Sequence, residues 1–239
     1  MGNVTEHHKD TVYFSIRTNE RVRELILNAY NYLNCDGAEK QTLKEVARKT
    51  VLRFVESEIQ HNGPFGWKID PTMFIMPVVL DTFPTAKAIH IIRDGRDVML
   101  SRLDARIEQI DDPVNKLMVF GRTDVDSFEG EPLEKRWIKK LRNELEMQHW
   151  VTSVEYGLRG KSYADRYLEV KYEDICHNPI EIFQKIFDFL EVPFQESTKE
   201  WLKKAVSPRR IGKWCHLPPQ ALKRPLEIGG HLLEKLNYL

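Results

Sequence analysis

The stretch KAIHIIRDGRDVMLSRL, residues 87–103, joins a short run of β-branched residues to a helical pattern through one sharp turn. Ile89, Ile91 and Ile92 follow with little polar alternation, which is typical of a buried strand in a parallel sheet that helices cover on both faces. The stretch therefore predicts an α/β fold in which a helix begins directly after a buried strand.

The segments around this unit extend the same pattern. WKID, residues 67–70, is followed by Pro71 and an apolar stretch to Leu80, which predicts a helix before the strand. RYLEVKYED, residues 166–174, predicts a second strand. HNPIEIFQKIFDFLEVPF, residues 177–194, predicts a helix with Asn178 as its N-cap, Pro179 in its first turn and a buried stripe of Ile182, Phe183, Ile186, Phe187 and Leu190.

The remaining regions have weaker signals. Residues 11–17, TVYFSIR, alternate like a short strand, and one helix is expected after Asn19 and another over about residues 42–60. Residues 104–131 are acidic and turn-rich and predict a long connection or a mobile lid, after which Pro132 is expected to open a long helix. A helix to about residue 206, the basic turn SPRRIGKW and a helix over 226–236 close what we expect to be a single domain, residues 1–239.

Composition excludes several classes of protein. The 239 residues are 41% hydrophobic and 30% charged, which is typical of a globular protein rather than a disordered or fibrous one. Thirty-six Lys and Arg balance 36 Asp and Glu, so no overall positive field favours nucleic acid. Three cysteines predict neither a disulfide framework nor a zinc site. No signal peptide or membrane span is visible, so a soluble, cytoplasmic protein without a bound metal is expected.

The turn between the predicted strand and helix is a candidate anion site. Ligands of open α/β sheets bind at the carboxyl ends of the strands, where a helix that starts there presents its N–H groups and positive dipole end. Arg93 adds a guanidinium that matches phosphate oxygens, and Ser101 adds a hydroxyl from the following helix. The alternative is that Arg93 pairs with Asp94 or Asp97 and that Ser101 is an ordinary solvated serine.

A second basic cluster lies near the carboxyl end of the chain. Arg209, Arg210 and Lys213 surround Gly212 in a turn preceded by Ser207-Pro208. Backbone and side chains of such a turn can close over an anion, whereas a charged loop is more commonly just solvated. Both interpretations stay open from the residues alone.

Lys68 and Asp70 precede the apolar helix that starts near Pro71. Asp followed by Pro is the signature of an N-cap and first helical position, so a capping role for Asp70 is the simpler interpretation. Lys68 has the appearance of an ordinary surface lysine beside Trp67. His90 lies within the predicted strand and is expected to be structural rather than catalytic.

Four segments together resemble the PAPS-dependent sulfotransferases, especially the bacterial type: FGWKIDP, FPTAKAIHIIRDGRDVMLSRL, YLEVKYEDICHNPIEIFQKIFDFLEVPF and RRIGKW. They extend from Phe65 to near the carboxyl end, about three quarters of the chain, and their combination is far more specific than any one of them. The resemblance implies a helix-rich α/β fold with a P-loop-NTPase-like parallel sheet flanked by helices. It implies 3′-phosphoadenosine 5′-phosphosulfate (PAPS) as co-substrate, no metal, and a small-molecule or carbohydrate acceptor.

The resemblance also implies roles for individual residues. Arg93 and Ser101 would hold the 3′-phosphate of PAPS, and the late basic turn would close on the same phosphate through Arg210, Gly212 and, less directly, Lys213. Tyr172 would lie close to the adenine. Lys68 would approach the transferring group, and Asp70 stands where some members carry a histidine as general base.

One departure from the family pattern stands out. The family begins with a strand and a loop of the type Arg-Ser-Gly-Thr that cradles the 5′-phosphosulfate, and none of the 12 glycines here has that setting. We therefore expect the first strand and loop to be missing, through amino-terminal truncation or degeneration, and little or no turnover. The alternative to an enzyme is an inactive module that binds adenosine 3′,5′-bisphosphate or a protein partner.

Overall fold

The structure is a computed structural model that describes residues 12–14, 26–28, 30–31, 37–58, 65–68, 72–101 and 110–239. The chain forms two compact units. Unit 1 comprises residues 1–91 and 157–207, and unit 2 comprises residues 92–156 and 208–239. The site residues that the sequence predicts are distributed over both units, so each unit is described by itself.

Helices dominate the described part of the chain. The strands are β1 (Val12–Phe14), β2 (Phe65–Trp67), β3 (Ala88–Ile92), β4 (Ser127–Phe128), β5 (Glu131–Pro132) and β6 (Tyr167–Lys171). Residues 26–28 and 30–31 are helical. The α-helices whose bounds the structure describes are α1 (Ala38–Glu58), α2 (Thr72–Thr82), α3 (Gly95–Ser101), α4 (Pro113–Phe120), α5 (Lys135–Lys140), α6 (Arg142–Leu158), α7 (Tyr172–His177), α8 (Pro179–Leu190), α9 (Glu196–Ala205) and α10 (Pro219–Lys235). Short 3-10 segments cover Arg159–Arg166, Pro208–Arg210 and Lys213–His216. The predicted helix-rich α/β class is confirmed.

The strands pair two by two. β1 runs parallel to β2 with Val12 opposite Phe65, β3 neighbours β6, and β4 and β5 form an antiparallel hairpin. Among the described strands, β1 pairs with β2 and belongs to a different sheet from β3 and β6, so the expectation that the main sheet lacks its first strand stays a prediction. The residues that follow β1, 15–25, lie outside the described part of the chain.

The predicted order of helix, strand, turn and helix is confirmed by α2, β3 and α3. Burial of β3 is only partial: Ile92 is buried, whereas Ile91 is 45% exposed. The expectation of complete cover on both faces is therefore wrong for Ile91.

The core of unit 1 is built around α8. Phe183, Ile186 and Phe187 are buried and pack with other buried side chains of the unit, namely Val170, Ile175 and Leu202. Pro179 occupies the first turn and Asn178 the N-cap position, as predicted, although the Asn178 side chain makes no capping hydrogen bond. The helix ends where Glu191 adopts a left-handed conformation with φ of 58°.

Residues 110–131 form an ordered part of unit 2, so the prediction of a long connection or mobile lid is wrong there. Asp112 caps α4 by accepting hydrogen bonds from the backbone N–H groups of Val114 and Asn115, and Gly121 ends it at a φ of 72°. The segment supplies side chains to an apolar cluster made of Ile110, Val119, Val125, Leu133, Ile138 and Leu145. Burial of these apolar side chains against α5 and α6 favours an ordered conformation.

Two predicted helix starts are also corrected. Pro132 belongs to the β4–β5 hairpin, and the helix begins at Lys135 and is interrupted at Leu141 before α6. A proline suits an edge strand as well as a first helical turn, so the residue type alone does not decide between them. The last helix begins at Pro219 and contains Pro225. Within the described residues, no helix combines the length and apolar character needed to cross a membrane.

Candidate functional site

The candidate site in unit 2 is organised around a buried carboxylate, Asp97. This residue is 0% exposed and lies in the first turn of α3. One oxygen accepts the backbone N–H of Gly212 at 2.7 Å, and the other accepts that of Trp214 at 3.3 Å. Asp97 thereby fixes residues 212 and 214 of the basic turn (SPRRIGKW, residues 207–214) against the turn that follows β3.

Arg93 lies between these two segments. Its guanidinium donates a hydrogen bond to the carbonyl oxygen of Arg210, and its Nη2 is 3.6 Å from Oδ2 of Asp97. The Arg93 carbonyl accepts a hydrogen bond from the indole N–H of Trp150 at 2.9 Å. The Arg93 side chain is 14% exposed, so this cation is partly neutralised by Asp97 and reaches solvent over a small area.

Gly95 allows the chain to turn closely at this point. A Cβ atom added at Gly95 would lie 2.5 Å from Cδ2 of the Trp150 ring, closer than real Cβ atoms approach. The same indole therefore packs on Gly95 and holds the Arg93 carbonyl. Together these contacts set the backbone from which the Arg93 side chain extends.

The second arginine of the RDGRD stretch has a different environment. Nε and Nη2 of Arg96 donate to the two carboxylate oxygens of Asp94, at 3.0 Å and 2.7 Å, and both residues are buried. Nη2 also donates to the carbonyl of Tyr238 at 2.6 Å, and the guanidinium lies 3.6 Å from the centre of the Trp214 ring. Arg96 is therefore enclosed by protein groups.

The outer face of the basic turn carries exposed cations. Arg210 and Lys213 are exposed, and within the described part of the chain neither side chain forms an ion pair. Gly212 between them has a φ of 73°, a left-handed conformation that glycine adopts without strain. Two basic segments that lie far apart in the sequence are thus brought together, as the anion-site hypothesis requires.

Ser101 is placed less favourably. It ends α3 and is exposed, and its hydroxyl donates to the carbonyl of Val98 in the same helix at 3.0 Å. The N–H groups at the start of α3 are also partly used, since the backbone N–H of Arg96 donates to the Asp94 carboxylate at 2.9 Å. Asp94 therefore uses one of the N–H donors at the start of α3 that we expected to bind an anion.

The other predicted site residues belong to unit 1 or lie outside the described residues. Lys68 is exposed and follows β2 directly, and Tyr172 is half-buried at the first position of α7. Asp70 lies outside the described residues, so its capping role and its role as a base both stay predictions. Among the residues that the structure describes, no group of His, Cys, Asp or Glu side chains is arranged to hold a metal ion.

Asp97 is the residue whose organising role the sequence did not reveal. The sequence offered it only as a partner of Arg93, whereas its main bonds join it to Gly212 and Trp214, 115 and 117 positions away. Two features of the sequence could have indicated this role. Asp97 is a carboxylate at the start of a helix that follows a strand, and Gly212 lies inside the basic turn near the carboxyl end.

A partly buried polar pair in unit 1 involves His90 of β3. Its Nδ1 lies 2.7 Å from the hydroxyl of Tyr167, and a Cβ added at Gly157 would lie 2.2 Å from its ring. Burial lowers the pKa of His90 to about 4, although the Glu169 carboxylate opposes the shift. Burial and Glu169 together raise the pKa of Tyr167. These contacts support the structural role predicted for His90.

The low pKa of His90 predicts that the stability of unit 1 decreases at acidic pH. Between about pH 6.5 and pH 4 the imidazole of the unfolded chain takes up a proton that the folded chain does not, so protonation favours unfolding as the pH falls. We expect His90 to account for a loss of about 3 kcal/mol in unfolding free energy across this window. Urea unfolding between pH 4 and 7 would measure it, and His90→Asn should flatten the curve. Parallel curves for the two proteins would contradict this expectation.

Comparison of the sequence with known proteins finds sulfotransferases. The profile of the sulfotransferase family matches residues 6–196. Carbohydrate sulfotransferase 3 from Mus musculus is 26% identical over 132 residues, which is 55% of this chain and 26% of that protein. Its counterpart from Homo sapiens is 25% identical over 146 residues, 61% of this chain and 28% of that protein. The chain spans about a quarter of the length of these curated relatives.

Two solved structures also resemble the chain. The sulfotransferase domain from the curacin biosynthetic pathway is 17% identical, covers 87% of this chain and 77% of its own, and has a TM-score of 0.49. Sulfotransferase STF9 from Mycobacterium avium is 15% identical, covers 84% of this chain and 48% of its own, and has a TM-score of 0.47.

Proposed function

Because the chain belongs to the sulfotransferase family, we propose that it transfers a sulfuryl group from PAPS to a hydroxyl or amine of an acceptor, and that unit 2 binds the 3′-phosphate of this donor. The proposed 3′-phosphate site rests on the contact of Arg93 with the basic turn. Asp97 holds Gly212 and Trp214, and Arg93 bonds the Arg210 carbonyl, so cations from two distant segments share one surface of unit 2.

The residues of this surface fit a phosphate dianion. Arg93 supplies planar N–H donors whose spacing matches phosphate oxygens, and the exposed Arg210 and Lys213 supply further positive charge. The left-handed Gly212 keeps the turn free of a side chain at its centre. An incoming phosphate would compete with Asp97 for the guanidinium of Arg93, because the two groups are 3.6 Å apart.

The remaining roles are proposed from the family resemblance. Ser101 would add a hydroxyl donor to the 3′-phosphate, which requires its side chain to leave the Val98 carbonyl. Tyr172 would contact the adenine, Lys68 would approach the transferring group, and Asp70 is the candidate that would accept the proton of the acceptor. The roles of Tyr172, Lys68 and Asp70 do not depend on the contact between Arg93 and the basic turn, whereas the role of Ser101 concerns the same phosphate as Arg93.

The proposed reaction depends mainly on positioning and fixed positive charge. PAPS supplies an activated sulfuryl group, which an acceptor oxygen or nitrogen attacks in line while the bond to the bridging oxygen of the phosphosulfate breaks. Negative charge grows on the transferring oxygens and on the leaving phosphate, so a cation such as Lys68 would stabilise the transition state. A general base must lie within hydrogen-bond reach of the acceptor proton, which Asp70 would receive.

The acceptor is proposed to be a carbohydrate hydroxyl. Two curated relatives are named carbohydrate sulfotransferase 3, which is the support for this class over phenols, lipids or peptides. Incubation with labelled PAPS and a panel of oligosaccharides would test the assignment. Transfer to phenols with none to any oligosaccharide would overturn it.

We expect Arg93→Ala to weaken binding of adenosine 3′,5′-bisphosphate by about 1.5 to 3 kcal/mol, which corresponds to roughly 10- to 150-fold in the dissociation constant. The lost interaction is a charge-assisted contact with the 3′-phosphate. Isothermal titration calorimetry of the wild-type protein and the variant would measure it, with adenosine 5′-monophosphate as the ligand that lacks this phosphate.

Arg122→Ala is the matched control, since it removes the same charge from an exposed position of unit 2. The control should change affinity for either nucleotide less than twofold. Equal affinity of the wild-type protein for both nucleotides would exclude the 3′-phosphate site. A uniform loss of affinity for both nucleotides in Arg93→Ala would indicate damage to the fold.

A second candidate function is a module that binds adenosine 3′,5′-bisphosphate without transferring sulfate. The sequence favours it at one point, because it contains no Arg-Ser-Gly-Thr segment for the 5′-phosphosulfate. Selective nucleotide binding with no transfer from labelled PAPS to any acceptor would favour the module. Transfer that Lys68→Ala abolishes would favour the enzyme.

A further inference from the structure

Arg96 is a buried cation to which the proposed chemistry gives no role. Its side chain is 6% exposed, and the Asp94 carboxylate and the Tyr238 carbonyl both accept its N–H groups. A guanidinium bonded in this way has a fixed plane and a fixed position. It therefore provides a rigid surface inside unit 2 on which another group can rest.

The group that rests on it is the indole of Trp214. The centre of this ring is 3.6 Å from the guanidinium carbon of Arg96, which is the separation of direct cation–π stacking. Trp214 directly follows Lys213 in the basic turn, and its backbone N–H donates to Asp97. One residue of the turn is thus held both by its ring and by its backbone.

Asp97 and Arg96 hold the basic turn in different ways. Asp97 accepts the N–H groups of residues 212 and 214, which fixes the backbone near α3. Arg93 adds a bond to the Arg210 carbonyl, and all three of these contacts involve the backbone of the turn. The stack of Trp214 on Arg96 holds the turn through a side chain, and it restricts the orientation of the turn because an indole on a fixed guanidinium has few alternative orientations.

We propose that Arg96, through its stack on Trp214, is a positioning residue that sets the orientation of the basic turn and thereby the anion affinity of a site that Arg96 does not contact. The proposal deepens the proposed function and rests on it for the identity of the anion. Its structural part, the control of the turn by the stack, is independent of which anion binds.

The test compares Trp214→Ala with Trp214→Phe in the full chain. Trp214→Ala removes the ring and leaves the backbone N–H groups that bond Asp97. We expect hydrogen exchange of the amides at positions 212 and 214 to become about tenfold faster in this variant. Amides inside α4 should keep their exchange rates, because α4 lies in the same unit outside the turn. Trp214→Phe, which keeps an aromatic face, should restore most of the protection.

Trp137→Ala is the control for a general loss of stability, since it removes another indole from unit 2. Global destabilisation would accelerate exchange in α4 and in the turn together, whereas loss of the stack accelerates only the turn. Unchanged exchange at positions 212 and 214 in Trp214→Ala would overturn the proposal, as would parallel acceleration throughout unit 2.

Nucleotide titration separates this proposal from the proposed function. We expect Trp214→Ala to weaken adenosine 3′,5′-bisphosphate about tenfold and adenosine 5′-monophosphate less than twofold, with recovery in Trp214→Phe. If exchange responds as expected and the wild-type protein does not select the 3′-phosphate, the stack controls the turn and the proposed function is wrong. If the wild-type protein selects the 3′-phosphate and Trp214→Ala keeps that selectivity unchanged, the positioning role is wrong.

Discussion

Replacing Asp97 by alanine should lower the unfolding free energy by about 3 to 5 kcal/mol, because the change removes a buried carboxylate that serves two backbone donors and one cation. Asp97 is 0% exposed and accepts the N–H groups of Gly212 and Trp214. Without it these donors lose their acceptors, and Arg93 loses the carboxylate 3.6 Å away. Unfolding in urea, followed by tryptophan fluorescence, would measure the loss.

Asp97→Asn removes the charge and one of the two acceptor oxygens but keeps the other. The amide keeps one oxygen acceptor and nearly the same volume, so we expect a smaller loss of about 1 to 3 kcal/mol. Glu131→Ala, a carboxylate in the β4–β5 hairpin outside this network, is the control and should change stability by less than about 0.5 kcal/mol. A cost below about 1 kcal/mol for Asp97→Ala would show that the basic turn is held by other contacts.

Local patterns in the sequence were sufficient to predict β3 and α3, the strand and helix that flank Arg93. The β-branched residues of β3, the sharp turn and the periodic residues of α3 lie next to one another, so their conformation follows from short-range preferences. The same holds for α8, where Pro179 and a stripe at helical spacing coincide. In such segments propensity and apolar periodicity favour the same structure.

The prediction failed where composition and local signals disagreed. The acidic and turn-rich character of residues 104–131 favoured a loop, although Asp112 followed by Pro113 is an N-cap signature and Leu117 and Val119 are buried. Apolar burial against neighbouring helices outweighed the charged composition, and that contribution depends on the tertiary fold. Proline was similarly ambiguous at position 132, where a hairpin rather than a helix uses it.

In the candidate site, the sequence predicted which residues take part but not which contacts they make with distant residues. Arg93, Arg210 and Gly212 were named from two separate segments, and the structure brings those segments together. The sequence could not predict that Arg93 reaches solvent over a small area while Arg96 is enclosed, since both arginines stand near aspartates. The distinction arises from Tyr238 and Trp214, whose positions relative to Arg96 depend on the folded chain.

Arg96→Ala should also destabilise the fold strongly, by about 3 to 5 kcal/mol, because it leaves the buried Asp94 without the cation that neutralises it. Nε and Nη2 of Arg96 contact both carboxylate oxygens of Asp94, which is itself 6% exposed. The substitution also removes the bond to the Tyr238 carbonyl and the stack on Trp214. Chemical denaturation monitored by circular dichroism would measure the loss, with Arg122→Ala as the exposed control.

The double variant Asp94→Asn with Arg96→Met tests whether the loss comes from an uncompensated charge. Most of the cost of breaking a buried ion pair lies in the charge left behind, and replacing both partners by neutral side chains is often close to neutral. We therefore expect the double variant to be more stable than Arg96→Ala by about 1 to 3 kcal/mol, while the amides of the basic turn exchange as fast as in Trp214→Ala. A double variant no more stable than Arg96→Ala would assign the loss to packing on Trp214 and to the Tyr238 bond. Slow exchange in that variant would instead show that the turn keeps its orientation without the guanidinium, which contradicts the positioning role of Arg96.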